Sequence, residues 1–284
     1  MNKKVLVILG PTASGKSELA VRLAKKLNGE IISADSRQVY KGLDIGTGKI
    51  TKKEMRGIPH HLLDVADPKK QFSVAQYKKL AEEKIKEIDF PIVVGGTGFY
   101  IDALTGRVNF PEVPPNKLLR NKLNKLSKEK LFKILKKKDP RRAKEIDPHN
   151  KVRLVRALEI IAKIGSVPPL GNLVSKWEFI YIGIKPEDLD KRIEKRVKKM
   201  FRQGLLKEIK KLKRSGISNK RLKELGFEYW NPTEENLIRN TRRYAKRQMT
   251  WFKRNPPERP SGRAGKKIRW FKPTQQKEIE KYAS

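Results

Sequence analysis

The chain has 284 residues and no cysteine, which excludes disulfide bonds, cysteine-ligated zinc sites and cysteine nucleophiles. Its 68 Lys and Arg residues outnumber 31 Asp and Glu residues, so the formal net charge is +37. Because self-repulsion of this size costs stability, the charge favours a polyanionic partner such as nucleic acid; a lysine-rich proteome with highly charged protein surfaces is the alternative.

The first predicted element is a strand at residues 5–9, whose five consecutive apolar side chains are typical of a buried parallel strand. It leads into a turn with the phosphate-binding loop pattern, and a helix is predicted to begin near Lys16. In such a loop the backbone N–H groups and the helix N-terminus surround an anion, Lys16 adds a charge, and the Ser17 hydroxyl can bind Mg²⁺. The predicted phosphate-binding residues are Gly10, Pro11, Thr12, Ala13, Ser14, Gly15, Lys16 and Ser17.

A second, short strand is predicted at residues 31–34, and Asp35 follows it directly. Because ligands of parallel α/β sheets bind at the carboxyl ends of the strands, this position brings Asp35 near the phosphate-binding loop. An aspartate that caps the next turn explains the same position equally well. The glycine-rich residues 41–58 are predicted to form a mobile loop.

Two later stretches raise the question of ligand binding. The pair His60-His61 lies close to Asp64, but adjacent side chains point in different directions, so structural histidines are favoured over a metal site. A further buried strand is predicted at residues 91–94, and it ends in Gly-Gly-Thr-Gly instead of the Mg²⁺-binding aspartate of nucleotide hydrolases. A close backbone approach together with the Thr97 hydroxyl fits ligand contact, and a tight structural turn is the alternative.

The character of the chain changes at residues 108–176, which we predict to be a basic helical insertion domain. A Lys/Leu-rich pattern over residues 117–138 and an apolar pattern over residues 152–161 both have helical spacing. Residues 1–107 and 177–284 are then predicted to form the catalytic core, which carries basic helices in its carboxyl-terminal part.

The chain is predicted to return to the sheet with a strand at residues 177–184 and then to continue as helices to its end. The pattern of residues 188–200 predicts an amphipathic basic helix. Such a helix could close over phosphates or cross a nucleic-acid backbone. Residues 241–254 carry six positive residues and no acid, so a merely solvated cationic face is the weaker interpretation. In this segment Tyr244 is available either for stacking or for core packing. Residues 255–267 are predicted to be a flexible loop.

In this order the motifs resemble those of the IPP transferase family, the tRNA isopentenyltransferases, over nearly the whole chain. Compared with that family, the stretch between Arg156 and Trp177 is short and the loop at residues 255–267 is long, which affects the local tRNA contacts rather than the chemistry. The resemblance rests on residues 10–17, 33–40, 44–49, 59–64, 94–98, 156–159 and 241–248.

The resemblance implies an α/β fold with a P-loop-containing parallel-sheet core and a helical insertion domain. It implies transfer of a dimethylallyl group from dimethylallyl diphosphate to N6 of adenosine 37 in tRNA, with Mg²⁺ as cofactor and Ser17 as its ligand. Lys16 and Arg196 are then expected to neutralise the departing diphosphate, and Thr97 to lie beside the reacting groups. Asp35 is expected to accept the N6 proton. The residues implied to contact tRNA are Asp35, Ser36, Arg37, Gln38, Thr97, Arg120, Val152, Arg153, Leu154, Val155, Arg156, Arg242, Arg243 and Arg247.

Two other functions are compatible with a phosphate-binding loop. A small-molecule kinase has little need for the charge of +37, and a non-catalytic RNA-binding ATPase has no need for Asp35 as a base. An enzyme that prenylates free AMP is disfavoured by the large basic insertion. The expected partners are tRNA and dimethylallyl diphosphate, and the protein is expected to be monomeric. We also expect a cytoplasmic protein without membrane attachment, since the chain begins in a core strand and no apolar run approaches about 20 residues.

Overall fold

The computed structural model describes residues 3–108, 111, 113–168, 176–254 and 268–283. The chain forms two compact units, one from residues 1–105 and 174–284 and one from residues 106–173. Each unit has its own hydrophobic core.

The first unit contains a six-stranded sheet in which every strand runs parallel to its neighbours, which confirms the predicted parallel-sheet core. The strands in chain order are β1 (Lys4–Leu9), β2 (Glu30–Ser33), β3 (His60–His61), β4 (Pro91–Gly95), β5 (Glu178–Ile184) and β6 (Arg269–Phe271). Their order across the sheet is β3-β2-β4-β1-β5-β6. In the centre, Val7 of β1 lies between Val93 of β4 and Tyr181 of β5.

Helices of the first unit pack on both faces of the sheet, and thirteen α-helices are assigned in the described ranges. They are α1 (Lys16–Leu27), α2 (Lys52–Met55), α3 (Val74–Glu87), α4 (Gly98–Leu104), α5 (Lys117–Asn124), α6 (Lys128–Lys138), α7 (Pro140–Glu145), α8 (Lys151–Ile164), α9 (Leu189–Gln203), α10 (Leu205–Arg214), α11 (Asn219–Leu225), α12 (Glu234–Arg254) and α13 (Gln276–Ala283). Because successive side chains of a strand point to opposite faces, Val5 and Val7 of β1 pack with α3, α4 and α9 to α12, whereas Leu6 and Ile8 pack with α1 and α13.

The second unit consists of helices α5 to α8 around an apolar core that includes Leu131, Leu135 and Leu154. The Lys/Leu-rich pattern of residues 117–138 forms two helices instead of a continuous one. The chain breaks there because the Ser127 side chain accepts a hydrogen bond from Lys130 N and so caps α6.

Two predictions of secondary structure need correction. The chain does not continue only as helices after β5, since β6 adds a short parallel edge strand beside it. The predicted loop at residues 41–58 contains α2, which Thr51 and Glu54 close with a reciprocal capping box. The predicted flexible loop at residues 255–267 lies outside the described residues. No helix in the described ranges is long and apolar enough to cross a lipid bilayer.

Candidate active site

A cavity of about 280 Å³ opens in the first unit at the carboxyl ends of β1, β2 and β4. Such an edge is where parallel α/β sheets bind ligands. The ends of the three strands and the segments that follow them contribute to its wall Thr12, Lys16 and Ser17, residues 35–38, and residues 94–95. The rest of the wall comes from the loop at residues 46–48, from α9, from the 3₁₀ turn Phe227–Tyr229 and from α12.

The phosphate-binding loop connects β1 to α1 in the strand–loop–helix arrangement that its sequence pattern predicts. Gly15 has a φ of 87°, which lets the chain turn sharply into the helix. Gly10 has no space for a side chain, because a Cβ atom there would lie 2.4 Å from the carbonyl oxygen of Ile184. The Ser14 side-chain oxygen is buried and has no hydrogen-bond partner among the described residues. The loop therefore combines a closely packed backbone with a buried hydroxyl that no described residue satisfies.

Lys16 and Arg196 are two of the five cationic side chains that line the cavity. Their hydrogen bonds go to backbone carbonyl oxygens, from Lys16 Nζ to Pro11 at 2.8 Å and from Arg196 Nη2 to Thr47 at 2.8 Å. Burial and, to a smaller extent, the charge of Arg196 lower the pKa of Lys16 to about 8, while Asp35 opposes the shift. Burial also lowers the pKa of Arg196. Charged groups whose pKa values fall in this way create a site that favours an anion.

The sequence position of Asp35 allows it either to cap the next turn or to lie near the phosphate-binding loop, and the structure shows both. Its Oδ1 atom accepts hydrogen bonds from Arg37 N at 2.8 Å and Gln38 N at 3.3 Å, so the side chain caps the turn after β2. The same residue lies in the cavity wall together with Lys16. The structure therefore brings a carboxylate and the phosphate-binding loop to one cavity.

Thr97 connects the end of β4 to this turn. Its Oγ1 atom accepts a hydrogen bond from Ser36 N at 3.0 Å and donates one to Ser36 Oγ at 3.3 Å. Thr97 also shares a hydrogen bond with the hydroxyl of Tyr244, and burial raises the pKa of that hydroxyl. Thr97 thus ties the turn that carries Asp35 to α12.

Gln248, on α12, is a site residue to which the sequence pattern assigns no role. Only 6% of it is exposed, and its Oε1 accepts a hydrogen bond from Thr12 N at 2.8 Å. Its Nε2 donates to the carbonyl oxygen of Gly96 at 2.9 Å. A Cβ atom at Gly96 would lie 2.1 Å from that nitrogen, so glycine is required there. The glycine-rich end of β4 therefore makes a close structural contact.

Glu228 is a second carboxyl in the cavity wall that sequence reasoning misses. Burial raises its pKa to about 7, and the charge of Asp35 acts in the same direction, while Arg37 and Arg196 oppose the shift. No motif surrounds it in the sequence, because its neighbours in the cavity come from distant segments. Two carboxyl groups, those of Asp35 and Glu228, thus line this cavity.

The loop predicted to be mobile is held by side chains on both sides. The Glu208 carboxylate on α10 accepts hydrogen bonds from the backbone N–H groups of residues 44–46, at 3.1, 2.8 and 3.0 Å. Lys49 Nζ lies 2.7 Å from Asp44 Oδ1 and 2.6 Å from Asp64 Oδ1. These contacts contradict the expectation of a mobile segment at residues 44–49.

The histidine pair forms the edge strand β3, paired with Ile31 and Ile32 of β2. His60 Nδ1 lies 2.8 Å from the carbonyl oxygen of Ile58, and His61 Nε2 lies 2.6 Å from Glu30 Oε2. Within the ranges that the structure describes, no group of three or more His, Cys, Asp or Glu side chains is arranged to hold a metal ion.

Several residues predicted to contact tRNA lie in or beside the cavity. Ser36, Arg37, Gln38 and Arg247 are part of its wall, and Arg243 is exposed on α12. Arg242 is also exposed, but it lies 3.1 Å from Asp190 and 2.5 Å from Glu194 of α9. Residues 241–254 contain no acid, and α9 thus supplies carboxylates to one of their arginines.

The second unit carries the other predicted tRNA contacts, and two of them are wrong. Leu154 and Val155 are 0% and 5% exposed, so their side chains belong to the core of the helical unit and cannot reach a nucleic acid. Val152 is 79% exposed and Arg153 is also exposed. A stretch predicted as a continuous contact segment is therefore split by the periodicity of α8.

Arg120 and Arg156 are both bound to Glu159, which is only 2% exposed. The Arg120 Nε and Nη2 atoms each lie 2.8 Å from one carboxylate oxygen of Glu159, and Asn116 N donates a further hydrogen bond at 2.6 Å. Burial opposes ionisation of Glu159, but the bonds from Arg120 and Arg156 prevail and lower its pKa to about 2. These two arginines are part of a compensated cluster in the helical unit.

Known proteins match this chain over most of its length. The model of the family described as "IPP transferase" matches residues 38–255. A tRNA dimethylallyltransferase of Anoxybacillus flavithermus is 40% identical, with 95% of this chain and 91% of that protein aligned. The protein of the same name from Exiguobacterium sibiricum is 43% identical over 88% of this chain and 86% of its own length.

Solved structures agree with these matches. The tRNA isopentenylpyrophosphate transferase of Bacillus halodurans is 38% identical and superposes with a TM-score of 0.68, covering 99% of this chain and 95% of that one. A eukaryotic dimethylallyltransferase captured acting on tRNA is 29% identical with a TM-score of 0.80, covering 99% of this chain and 76% of its own.

Proposed function

This chain belongs to the IPP transferase family, and we propose that its cavity transfers a dimethylallyl group from dimethylallyl diphosphate to N6 of adenosine 37 in tRNA. The observation that carries the proposal is the combination of Lys16, Arg196 and Asp35 in the wall of one cavity. The two cations can bind the negatively charged diphosphate, and the carboxylate can accept the proton that the amine loses. Cations that bind phosphate groups are expected both in an enzyme that transfers phosphate and in one that transfers a prenyl group. The tRNA-modifying relatives favour prenyl transfer.

The diphosphate end of the substrate is assigned to the phosphate-binding loop. The bond between the allylic carbon and the diphosphate oxygen breaks more easily when the negative charge on the departing group is neutralised. Lys16, with a pKa near 8, is largely protonated at neutral pH and becomes more so beside an anion. Arg196 adds a second charge, and the buried Ser14 hydroxyl is a further polar group of the loop.

The adenine end is assigned to Asp35. As the new bond between N6 and the allylic carbon forms, the amine loses a proton, and the Asp35 carboxylate accepts it. Oδ1 of Asp35 is engaged by the backbone of Arg37 and Gln38, whereas its Oδ2 has no hydrogen-bond partner among the described residues. The carboxylate is thus fixed in orientation by one oxygen and available through the other. The products are the N6-(dimethylallyl)adenosine of the tRNA and diphosphate.

Magnesium fits this site as an ion held mainly by its substrate. Ser17 lies in the cavity wall next to Lys16, and the described residues offer no cluster of acids for a protein-built cage. Mg²⁺ commonly keeps several waters and binds substrate phosphates through few protein ligands. When bound, the ion neutralises charge on the diphosphate, and the Ser17 hydroxyl is the protein ligand that we assign to it.

The tRNA is assigned to the basic surface around the cavity mouth. An adenine in a folded loop must leave its stack to reach a buried carboxylate. Arg37, Arg243 and Arg247 are placed to contact phosphates of the flanking nucleotides, and the net charge of +37 favours association with RNA.

The test is a transfer assay with isotopically labelled dimethylallyl diphosphate and unmodified tRNA, followed by mass spectrometry of the nucleosides and of RNase fragments. We expect the label in N6-(dimethylallyl)adenosine at position 37. Transfer of phosphate from ATP to a small molecule, with no label entering the RNA, would overturn the proposal. Label in free AMP but not in tRNA would reject tRNA as the substrate.

A further inference from the structure

The carboxylate of Glu208 is surrounded by hydrogen-bond donors from two segments of the first unit. Its Oε2 accepts from Asp44 N and Ile45 N, and its Oε1 accepts from Gly46 N at 3.0 Å. The hydroxyl of Tyr229, a residue only 1% exposed, also donates to Oε1 at 3.0 Å. One side chain on α10 therefore satisfies three consecutive backbone donors and connects them to the 3₁₀ turn.

The loop held by Glu208 leads directly to the cation end of the cavity. The carbonyl oxygen of Thr47 accepts a hydrogen bond from Arg196 Nη2 at 2.8 Å and one from Gln38 Nε2 at 3.4 Å. Among the described residues, Thr47 O is the only hydrogen-bond acceptor of Arg196. The position of this carbonyl thus determines where the guanidinium can lie.

The packing leaves this loop little freedom to find another position. A Cβ atom at Gly46 would lie 2.6 Å from the ring and hydroxyl of Tyr229, and one at Gly48 would lie 2.2 Å from Arg196 Nη2. The loop therefore fits between the side chains of Glu208 and Tyr229 on one side and Arg196 on the other. A shift of residues 44–46 would therefore move the Thr47 carbonyl oxygen to which Arg196 is bound.

We propose that Glu208 is a positioning residue for the anion site, which holds residues 44–47 so that Thr47 aims the Arg196 guanidinium at the diphosphate. The inference rests on the proposed function only in assigning a diphosphate to this site. Glu208 itself touches neither the diphosphate nor the adenine in this account. A purely structural role, in which Glu208 stabilises the fold without affecting Arg196, is the competing explanation.

A double-mutant cycle on inorganic diphosphate binding separates the two explanations. The wild type, Glu208→Gln, Arg196→Gln and the double variant are titrated with magnesium diphosphate by calorimetry, and their thermal unfolding is recorded. We expect Glu208→Gln to weaken diphosphate binding by about five- to ten-fold in the wild-type background, a loss of the size of one ordinary hydrogen bond. In the Arg196→Gln background the same change should have less than about a two-fold effect.

Equal losses of affinity in both backgrounds, or no loss in the wild-type background, would overturn the inference. A structural role lowers the unfolding temperature in both backgrounds and produces no coupling in diphosphate affinity. Because the readout is binding of diphosphate, absence of prenyl transfer to tRNA would reject the proposed function and leave this cycle interpretable.

Three further variants keep the experiment decisive. Glu83→Gln changes an exposed carboxylate on α3 and is expected to leave both diphosphate affinity and unfolding temperature unchanged. If Glu208→Gln does not fold, Glu208→Asp, which keeps the charge and withdraws it by one methylene, replaces it in the cycle with the same expected coupling. Tyr229→Phe removes one of the four donors and should weaken diphosphate binding by less than about two-fold.

Discussion

Each unit of this protein holds a cluster of partly buried positive side chains, and the two clusters are compensated to different degrees. In the helical unit, Arg120 and Arg156 share the carboxylate of Glu159, whose pKa falls to about 2. In the cavity of the first unit, the hydrogen bonds of Lys16 and Arg196 to described residues go to backbone carbonyl oxygens, and burial lowers both pKa values. The less compensated cluster is the one to which we assign the diphosphate.

The most severe test of this comparison removes the carboxylate that shares the cavity with the two cations. Asp35→Asn keeps acceptors for Arg37 N and Gln38 N and loses only the proton acceptor, so we expect turnover to fall by about a thousand-fold with tRNA affinity nearly unchanged. Single-turnover transfer and filter binding measure the two quantities. Asp67→Asn is the matched control, because Asp67 Oδ1 also accepts a hydrogen bond two residues ahead, from Lys69 N at 2.8 Å. A variant that keeps more than a tenth of the turnover would exclude Asp35 as the base.

Removing the carboxylate from the compensated cluster of Arg120, Arg156 and Glu159 should destabilise the folded protein. Glu159→Gln leaves Arg120 and Arg156 without their counter-charge, and the free energy of unfolding should fall by about 3 kcal/mol. The control Glu145→Gln removes an exposed partner of Arg141 and Arg142 and should cost less than about 0.5 kcal/mol. Denaturant unfolding at pH 7 measures both changes, and equal losses would refute the distinction between them.

The same cluster predicts a pH dependence. Since the pKa of Glu159 is lowered from 4.5 to about 2 in the folded protein, its contribution is complete above about pH 4.5 and is lost as the pH falls towards 2. The difference in stability between wild type and Glu159→Gln should therefore shrink over that interval. A difference that stays constant from pH 6 to pH 3 would contradict the assignment.

Removing a charge from the other cluster, Lys16 and Arg196, should instead stabilise the folded protein. Lys16→Met removes a buried charge that has no carboxylate partner, so the free energy of unfolding should rise by about 1 kcal/mol at pH 7, while diphosphate affinity falls at least about ten-fold. The folded-state pKa of Lys16 lies near 8, below its value of 10.5 in the unfolded chain. The gain should therefore disappear as the pH rises from 8 to 10.5. A less stable Lys16→Met variant would reverse the comparison.

The smallest expected effect concerns Glu228. Its folded-state pKa is raised from 4.5 to about 7, so its burial penalises the folded state increasingly as the pH rises through that interval. Glu228→Gln should unfold at the same temperature as wild type near pH 4.5 and be more stable by about 1 kcal/mol at pH 8. Thermal unfolding across this range checks the sign, and a variant less stable than wild type at pH 8 contradicts it.

Sequence reasoning succeeded where the signal is local. The strand, loop and helix at residues 4–27 follow from hydrophobic runs and glycine spacing, and both the α/β fold and the family resemblance are confirmed. The β6 strand was missed because three residues are too few to display a periodicity.

Residues whose role depends on distant partners could not be predicted in the same way. Glu208 binds a loop 162 to 164 positions away, and Gln248 binds Thr12 at a separation of 236. Glu208 lies outside the motifs, and the motif at residues 241–248 names no partner for Gln248. Leu154 and Val155 were predicted to contact tRNA because the family resemblance implies contact for the whole span 152–156. The helical period of α8 instead turns their side chains into the core.

The bridge formed by Gln248 makes α12 and the phosphate-binding loop a single cooperative element. The Thr12 amide can exchange its hydrogen with solvent only when its bond to Gln248 opens, and that side chain is also bound to Gly96 at the end of β4. Opening of this amide therefore requires the Gln248 side chain to release Thr12. Isotope exchange at Thr12 then reports how firmly a side chain near the other end of the sequence is held against this loop.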